Sequence, residues 1–468
     1  MENVTTTIKQ KKKLRISPYL LVIASFLFVI LVGSFLLSLP IAQKSGKWGA
    51  YIDSLFAATS ATCVTGLCSY PEGIGGQLTL FGQITMLIMI QIGGLGFITV
   101  LTFFITLFKK RLQFKNRYFL SQAVGSTNFA DVIKFVRKII LISFIIELIG
   151  FTLCLPAYYT IYKDNPGMLV WSSIFTSISC FNNAGFDIFG GTSLIRGVGN
   201  VAIDALPTWA YYYLCSVIML LIIFGGISFL VIIEVFSFKK RIKQYRAFTK
   251  IVLVTSFTLL LLGWGLIMIT DGIIGDDRIS PFHALFQSVT CRTAGVATYD
   301  QSKLSTGGLI VSCFLMFVGG SPLSTAGGIK TTTLFMIVLA IYCYIRGKKV
   351  IAFNRSYSSN MILKAMSLVF IALGTIVLSF ILMSLFEKNN SAANEGEKLM
   401  FEIFSAFGTV GLTCNLTTTL SIGSKLVLCV LMFLGRLGPM TFFQIFQNSI
   451  NKEEKLHFKY VEEDFLIG

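Results

Sequence analysis

Apolar and polar positions divide the chain into long apolar runs separated by shorter ones. Long runs fall at roughly 17–40, 78–108, 132–161, 208–238, 249–270, 306–345, 360–386 and 423–447. Each meets the length of about 20 residues that a helix needs to cross a bilayer. Between the members of successive pairs lie four shorter apolar segments, 52–65, 172–184, 281–294 and 399–410. Their length, about 12–14 residues, suits a helix that enters the membrane and returns to the same side. The pattern predicts an all-α polytopic membrane protein with eight transmembrane helices and four re-entrant pore helices. These would form four tandem span–pore-loop–span repeats around a pseudo-fourfold axis.

The predicted organisation is an N-terminal segment 1–16, repeat 1 at 17–108, a loop at 109–131, repeat 2 at 132–238 and a loop at 239–248. Repeat 3 follows at 249–345, then a loop at 346–359, repeat 4 at 360–450 and a C-terminal segment 451–468. The first apolar run is too long for the core of a signal peptide and is expected to be retained as a span.

Charge tests this topology. With the N-terminus in the cytosol, the predicted inner segments hold 27 of the 39 Lys and Arg and the outer ones hold 9. Such a bias follows the positive-inside rule, and letting the short segments cross would scatter it. The net charge of +17 therefore does not signal nucleic acid, because the basic residues sit in short clusters between spans. A mean hydropathy of +0.76 and a charged fraction of only 13% point the same way. The expected location is the cell membrane, multi-pass, in a bacterial plasma membrane. Ten cysteines without a CxxC pair and two histidines, His283 and His457, offer no metal site. No cluster of catalytic carboxylates, His or Cys suggests an enzyme.

Aligned at their ends, the short segments read FAATSATCVTGL (56–67), FTSISCFNNAGF (175–186), LFQSVTCRTAGV (285–296) and FEIFSAFGTVGL (401–412). Each opens on a bulky apolar residue, carries Ser or Thr in its middle, and ends in a glycine followed by a bulky apolar residue. Those glycines, Gly66, Gly185, Gly295 and Gly411, are 119, 110 and 116 residues apart. The run after each segment also carries a glycine motif: IGGLGF (92–97), FGGISF (224–229), VGGSPL (318–323) and LGRLGP (434–439).

A cation that sheds its hydration shell can be held by rings of backbone carbonyls. Aiming successive carbonyls at one axis requires backbone angles that glycine accepts. A short helix ending there points its negative end at the ion. Four short helices, each followed by a few extended residues and a glycine, therefore suit a cation filter. The candidate filter residues are Cys63, Val64, Thr65 and Gly66; Asn182, Asn183, Ala184 and Gly185; Arg292, Thr293, Ala294 and Gly295; and Gly408, Thr409, Val410 and Gly411. Arg292 is expected to brace its loop from behind, since a cation facing the pore would repel the ion.

The segments TCVTGL, FNNAGFD, TCRTAG and FGTVGLT resemble the filters of the Trk/Ktr/HKT superfamily of potassium transporters. Thr409-Val410-Gly411 also resembles the core of potassium-channel filters. The resemblance extends over nearly the whole chain and implies potassium uptake, with glycine in all four filters, Gly66 included, pointing to potassium rather than sodium. A start near Ser17 is similar to the shorter Ktr type. That type implies a homodimer, sodium as a possible activator, and gating by a cytosolic nucleotide-binding regulatory ring. A cation-coupled symporter with alternating access is the alternative reading.

The run 306–345 is interrupted by GGSPLSTAGGIKTTT (319–333), and so many breakers cannot hold a straight helix in lipid. The resemblance implies a gating loop here, with Gly319, Gly320, Ser321, Pro322, Ser324, Thr325, Gly327, Gly328 and Lys330 as its core. Gly328-Ile329-Lys330-Thr331 lacks the Gly directly before Lys of a phosphate loop, so no nucleotide is expected on this chain. Lys330 is expected to snorkel to the cytosolic edge. Arg436, in mid-span, is costly in lipid. It is expected either to pair within the membrane, with Glu147 as one partner, or to face the pore below the filter. The rule for intramembrane charge favours the pore.

Overall fold

A computed structural model describes residues 18–96, 129–189, 193–196, 201–237, 244–273, 278–388, 390 and 395–438. The predicted terminal segments 1–16 and 451–468, and most of the loop 109–131, lie outside the described residues.

The described chain is helical: α1 Pro18–Ser38, α2 Tyr51–Cys63, α3 Leu80–Leu95, α4 Phe129–Tyr159, α5 Pro166–Phe181, α6 Thr208–Gly226 and α7 Phe229–Phe236. It continues as α8 Ala247–Ile267, α9 Pro281–Thr290, α10 Thr306–Phe317, α11 Thr331–Ile345, α12 Ser359–Phe386, α13 Gly396–Gly408 and α14 Ile422–Leu437. A two-residue hairpin, Ile351–Ala352 with Arg355–Ser356, joins α11 to α12.

Among the described residues, four helices are individually long and apolar enough to cross a bilayer: Lys134–Tyr159, Thr208–Gly226, Ala247–Ile273 and Ser359–Phe386. Phe28, Phe144, Phe257 and Phe370 lie on the outside, while Ser60, Thr62, Ser179 and Ser405 are fully buried within an otherwise apolar interior. Bulky apolar side chains facing outward as well as inward, with polar groups kept inside, are what a lipid solvent selects.

The longer apolar runs are more broken than their sequence suggests. Only 306–345 is expected to be interrupted, yet 208–238 also divides, at Ile227–Ser228, and α3 and α14 stop against Gly96 and Gly438 at φ +80° and +82°. Packing explains the glycines ahead of these breaks. A Cβ built on Gly93 would lie 2.0 Å from the Thr62 carbonyl oxygen, and one on Gly225 or Gly435 would lie 1.9 Å from that of Phe181 or Phe407. The motif glycines thus let each helix press against the end of a short helix.

The short helices α2, α5, α9 and α13 are tied near their starts to neighbouring helices. Trp171 Nε1 donates to Gln83 Oε1 at 2.7 Å, and the Thr306 hydroxyl donates to Glu397 Oε2 at 2.9 Å. At a third start the Tyr212 and Phe282 rings meet edge to face, with centroids 4.9 Å apart. At the fourth, Lys425 Nζ forms an ion pair with Asp53 at 2.8 Å. That pair joins α14, near the end of the described chain, to α2 near its start.

Candidate functional site

The four short helices α2, α5, α9 and α13 end one to three residues ahead of the residues that carry the candidate filter's turn. Val64, Asn183, Thr293 and Thr409, each two positions before a filter glycine, have φ of +58°, +59°, +75° and +51°. A residue with a side chain resists that region, at roughly 1–2 kcal/mol each. The cost is sustained by hydrogen bonds that close the helix ends. Backbone N–H groups of Thr65, Ala184 and Val410 donate to the Ser60, Ser179 and Ser405 carbonyls, each at 2.8 Å.

The mid-helix hydroxyls are further braces. Ser60 Oγ and Ser405 Oγ accept from the N–H groups of Gly66 and Gly411, both at 3.1 Å. The Ser179 and Thr290 hydroxyls donate to the Phe186 and Val296 carbonyls, both at 2.6 Å. The sequence shows these Ser and Thr as part of a shared template without revealing their role, because their partners lie beyond the glycine and face back.

The glycines close a ring. A Cβ on Gly66 would stand 2.6 Å from the Ala184 carbonyl oxygen, one on Gly185 2.4 Å from that of Ala294, and one on Gly295 2.2 Å from that of Val410. A Cβ on Gly411 would stand 2.1 Å from the Thr65 carbonyl oxygen, returning to the first quarter. Each glycine thus lies against the carbonyl that precedes the next one. Thr65 Oγ1 and Thr409 Oγ1 are buried without a hydrogen-bond partner among the described residues, leaving spare oxygen ligands close to the ring.

On one side of the ring lies a cavity of about 270 Å³ lined by all four glycines together with Tyr70, Asp187, Asp300 and Thr413. Asp187 accepts from the Phe189 N–H at 3.1 Å. Burial pushes its carboxyl up to about 6, against the pull of that bond and of Ser193. On the other side lies segment 319–330. Gly327 packs against Thr409, where a Cβ would come within 2.1 Å of the hydroxyl oxygen.

This segment is bound to elements around the ring. The N–H groups of Ser321 and Thr325 donate to Gly226 and Gly225 carbonyls at 3.0 and 3.2 Å, and that of Gly328 donates to Gly435 at 3.3 Å. The Thr325 hydroxyl donates to the Gly225 carbonyl at 2.8 Å. Arg436 donates to the Thr325 and Gly93 carbonyls, and to that of Gly94 at 3.0 Å. It therefore does not pair with Glu147, whose carboxylate is occupied by Gln91 and Asn182. In the aligned glycine motifs Arg436 stands where the other three have Gly94, Gly226 and Gly320.

Two other charged side chains complete the surroundings. The Lys330 amine folds back onto the Ala326 and Gly327 carbonyls at 2.7 and 3.3 Å rather than snorkelling outward. Unfilled carbonyls of a non-helical turn, closer than any aqueous edge, account for this. Arg292 reaches α8, bonding the Ser256 carbonyl and hydroxyl at 3.1 and 3.2 Å. No group of three or more His, Cys, Asp or Glu that could hold a metal ion occurs among the described residues.

Four converging helix ends and a closed ring of glycines beside backbone carbonyl oxygens, with a cavity on one side and segment 319–330 on the other, suit a cation-transporting membrane protein. Residues 5–272 and 276–454 match the TrkH family, cation transport protein. Potassium/sodium uptake protein NtpJ of Enterococcus hirae is 35% identical over 469 residues, covering 99% of this chain and 100% of that one. Ktr system potassium uptake protein B of Bacillus subtilis is 33% identical over 464 residues, 98% of each chain. The crystal structure of the potassium transporter TrkH from Vibrio parahaemolyticus superposes with a TM-score of 0.64 at 18% identity, covering 93% of this chain and 86% of that one, a likeness of fold. This chain belongs to the TrkH family of cation transport proteins, in its Ktr-type branch. It is a multi-pass membrane transporter and not an enzyme.

Proposed function

We propose that this chain takes up potassium through the glycine ring. The ring would act as the selectivity filter of four span–pore-helix–span repeats, with segment 319–330 as the gate beneath it. The observation that carries this reading is the closed contact order Gly66, Gly185, Gly295, Gly411 and back to Gly66. A one-sided contact among the four would suit helix packing; closure sets carbonyls all around one axis, where they can replace a cation's water. The four helix C-termini add negative potential at the same point.

Potassium is the cargo that the relatives' names give, and the Enterococcus relative's name joins sodium to it. Sodium as an activator, a homodimer and a cytosolic nucleotide-binding ring that moves the gate complete the proposal. Growth of a potassium-uptake-deficient bacterium at limiting potassium, with and without a ring subunit, tests it. Rescue that strengthens with the ring supports the reading, and no rescue in either case sinks it.

Arg436 would be the latch of the closed gate. Arg436→Ala removes a guanidinium held by three carbonyls, and hydrogen bonds to charged groups contribute about 1.5–3 kcal/mol. Basal rubidium flux into vesicles should rise by about tenfold. Unchanged basal flux would remove Arg436 from the gate.

Asp187 would concentrate cations in the outer cavity. Its carboxyl titrates at about 6, so it is charged at pH 7 and loses that charge as pH falls through 6. In vesicles at fixed voltage and limiting potassium, uptake should decline as external pH falls from about 7 to 5. Asp187→Asn should flatten that decline and raise the half-saturating potassium concentration roughly two- to fivefold. An unaltered pH profile in the variant would exclude the role.

A further inference from the structure

Behind the second filter quarter lies a buried polar cluster that the conduction path does not use. Glu147, on α4, is 8% exposed. Its carboxylate accepts from Gln91 Nε2 at 2.9 and 3.2 Å and from Asn182 Nδ2 at 3.1 Å. Asn182 Nδ2 also donates to Gln91 Oε1 at 2.9 Å. The Glu147 backbone carbonyl accepts from the Ser177 hydroxyl at 2.6 Å, so this residue holds α5 at two points.

Oε1 of Glu147 accepts from both amide nitrogens, so both face it. The Asn182 oxygen is thereby turned away, buried and unpartnered, toward Gly94, where a Cβ would come within 2.0 Å of it. Asn182 immediately precedes Asn183, whose positive φ starts the second filter quarter. The carbonyls of Gly93 and Gly94, on the same stretch of α3, receive Arg436.

We propose that Glu147 is a positioning residue for ion selectivity, fixing the second filter quarter through Asn182 and the seat of Arg436 through Gln91 and α3. The role rests on the reading of the glycine ring as a filter. It explains why this quarter carries Asn-Asn where the others carry Cys-Val, Arg-Thr and Gly-Thr: the first Asn faces backward, into the cluster. A glutamine at 147 with its oxygen in the Oε1 place would set its NH₂ against that of Gln91, where Oε2 now accepts at 3.2 Å, and the opposite rotamer would set it against both amide nitrogens.

The test compares wild type, E147Q and the exchange variant Q91E/E147Q in proteoliposomes, each normalised to folded protein. The exchange keeps one carboxylate and one carboxamide between the same helices with their roles reversed. E147Q should lower the rubidium-over-sodium ratio about tenfold and shift the half-saturating rubidium concentration, and the exchange should restore the ratio to within about twofold. A purely structural residue would change the amount of folded protein and leave the ratio intact. An E147Q ratio equal to wild type overturns the role, as does an exchange variant that fails to restore it. If E147Q does not fold, the exchange variant decides. A wild-type ratio supports the role, and misfolding or a shifted ratio overturns it. Absence of rubidium-over-sodium discrimination in the wild type would instead overturn the filter reading itself.

Discussion

Gly66→Ser should lower rubidium-over-sodium discrimination by about tenfold or more. Gly66 has φ +103°, and a Cβ there would sit 2.6 Å from the Ala184 carbonyl oxygen and 3.3 Å from the Gly185 and Gly411 Cα atoms. A serine must therefore strain its own backbone, by roughly 1–2 kcal/mol, and push its neighbours outward. The gap of 2.6 Å is the widest of the four, so serine can be accommodated here with the least displacement of the ring. Carbonyls that no longer converge hold a dehydrated potassium ion less well, and the added hydroxyl gives smaller ions a compact ligand. Rubidium and sodium fluxes measured in the same vesicles decide the matter. An unchanged ratio would mean that Gly66 is not in the filter.

Deletion of Leu323 to Ala326 should raise basal flux by at least about tenfold and free it from any cytosolic partner. Those residues carry the bonds from Phe229 N–H to the Leu323 carbonyl at 3.0 Å and from Thr325 N–H to the Gly225 carbonyl at 3.2 Å. They also carry the Thr325 hydroxyl bond to Gly225, the Arg436 bond to Thr325 and the Lys330 bond to Ala326. The neutral bonds contribute about 0.5–1.5 kcal/mol net each and the two from Arg436 and Lys330 about 1.5–3, so losing several together moves a closed–open balance by more than one order of magnitude. Flux that stays normal and still depends on the partner would show that this segment does not gate.

Much of this was legible from the chain. Four long apolar helices stand out by length because bilayer thickness sets it, several of the other expected spans being no longer than the short helix α5 among the described residues. The glycines of the shared template, Gly66, Gly185, Gly295 and Gly411, line one cavity. Residues whose meaning depends on distant partners were not legible. Gln91, Glu147 and Asn182 meet across separations of 56 and 91 positions, and no local periodicity encodes such a meeting. Glu147 stood out only as an acid in a span. The breaks at Gly96, Ile227–Ser228 and Gly438 were hidden for a related reason. Glycine in an apolar run reads as tolerated within a helix, and the positive φ that Gly96 and Gly438 take is not written in the run's composition. Lys330 was misread because its nearest acceptors lie on its own loop rather than toward the cytosol.

The ion pair of Asp53 with Lys425 and the contact of Gly411 with Thr65 span most of the chain. No covalent link spans this seam. On the reading of the glycine ring as a filter, a chain whose last quarter is not yet in place has an open ring, because the contact of Gly411 with the Thr65 carbonyl is missing. Such a filter would close only once α13 packs beside α2, and so late in the making of the chain. A chain stopped before Gly396 would lack α13 and α14, and with them both contacts that close the circle.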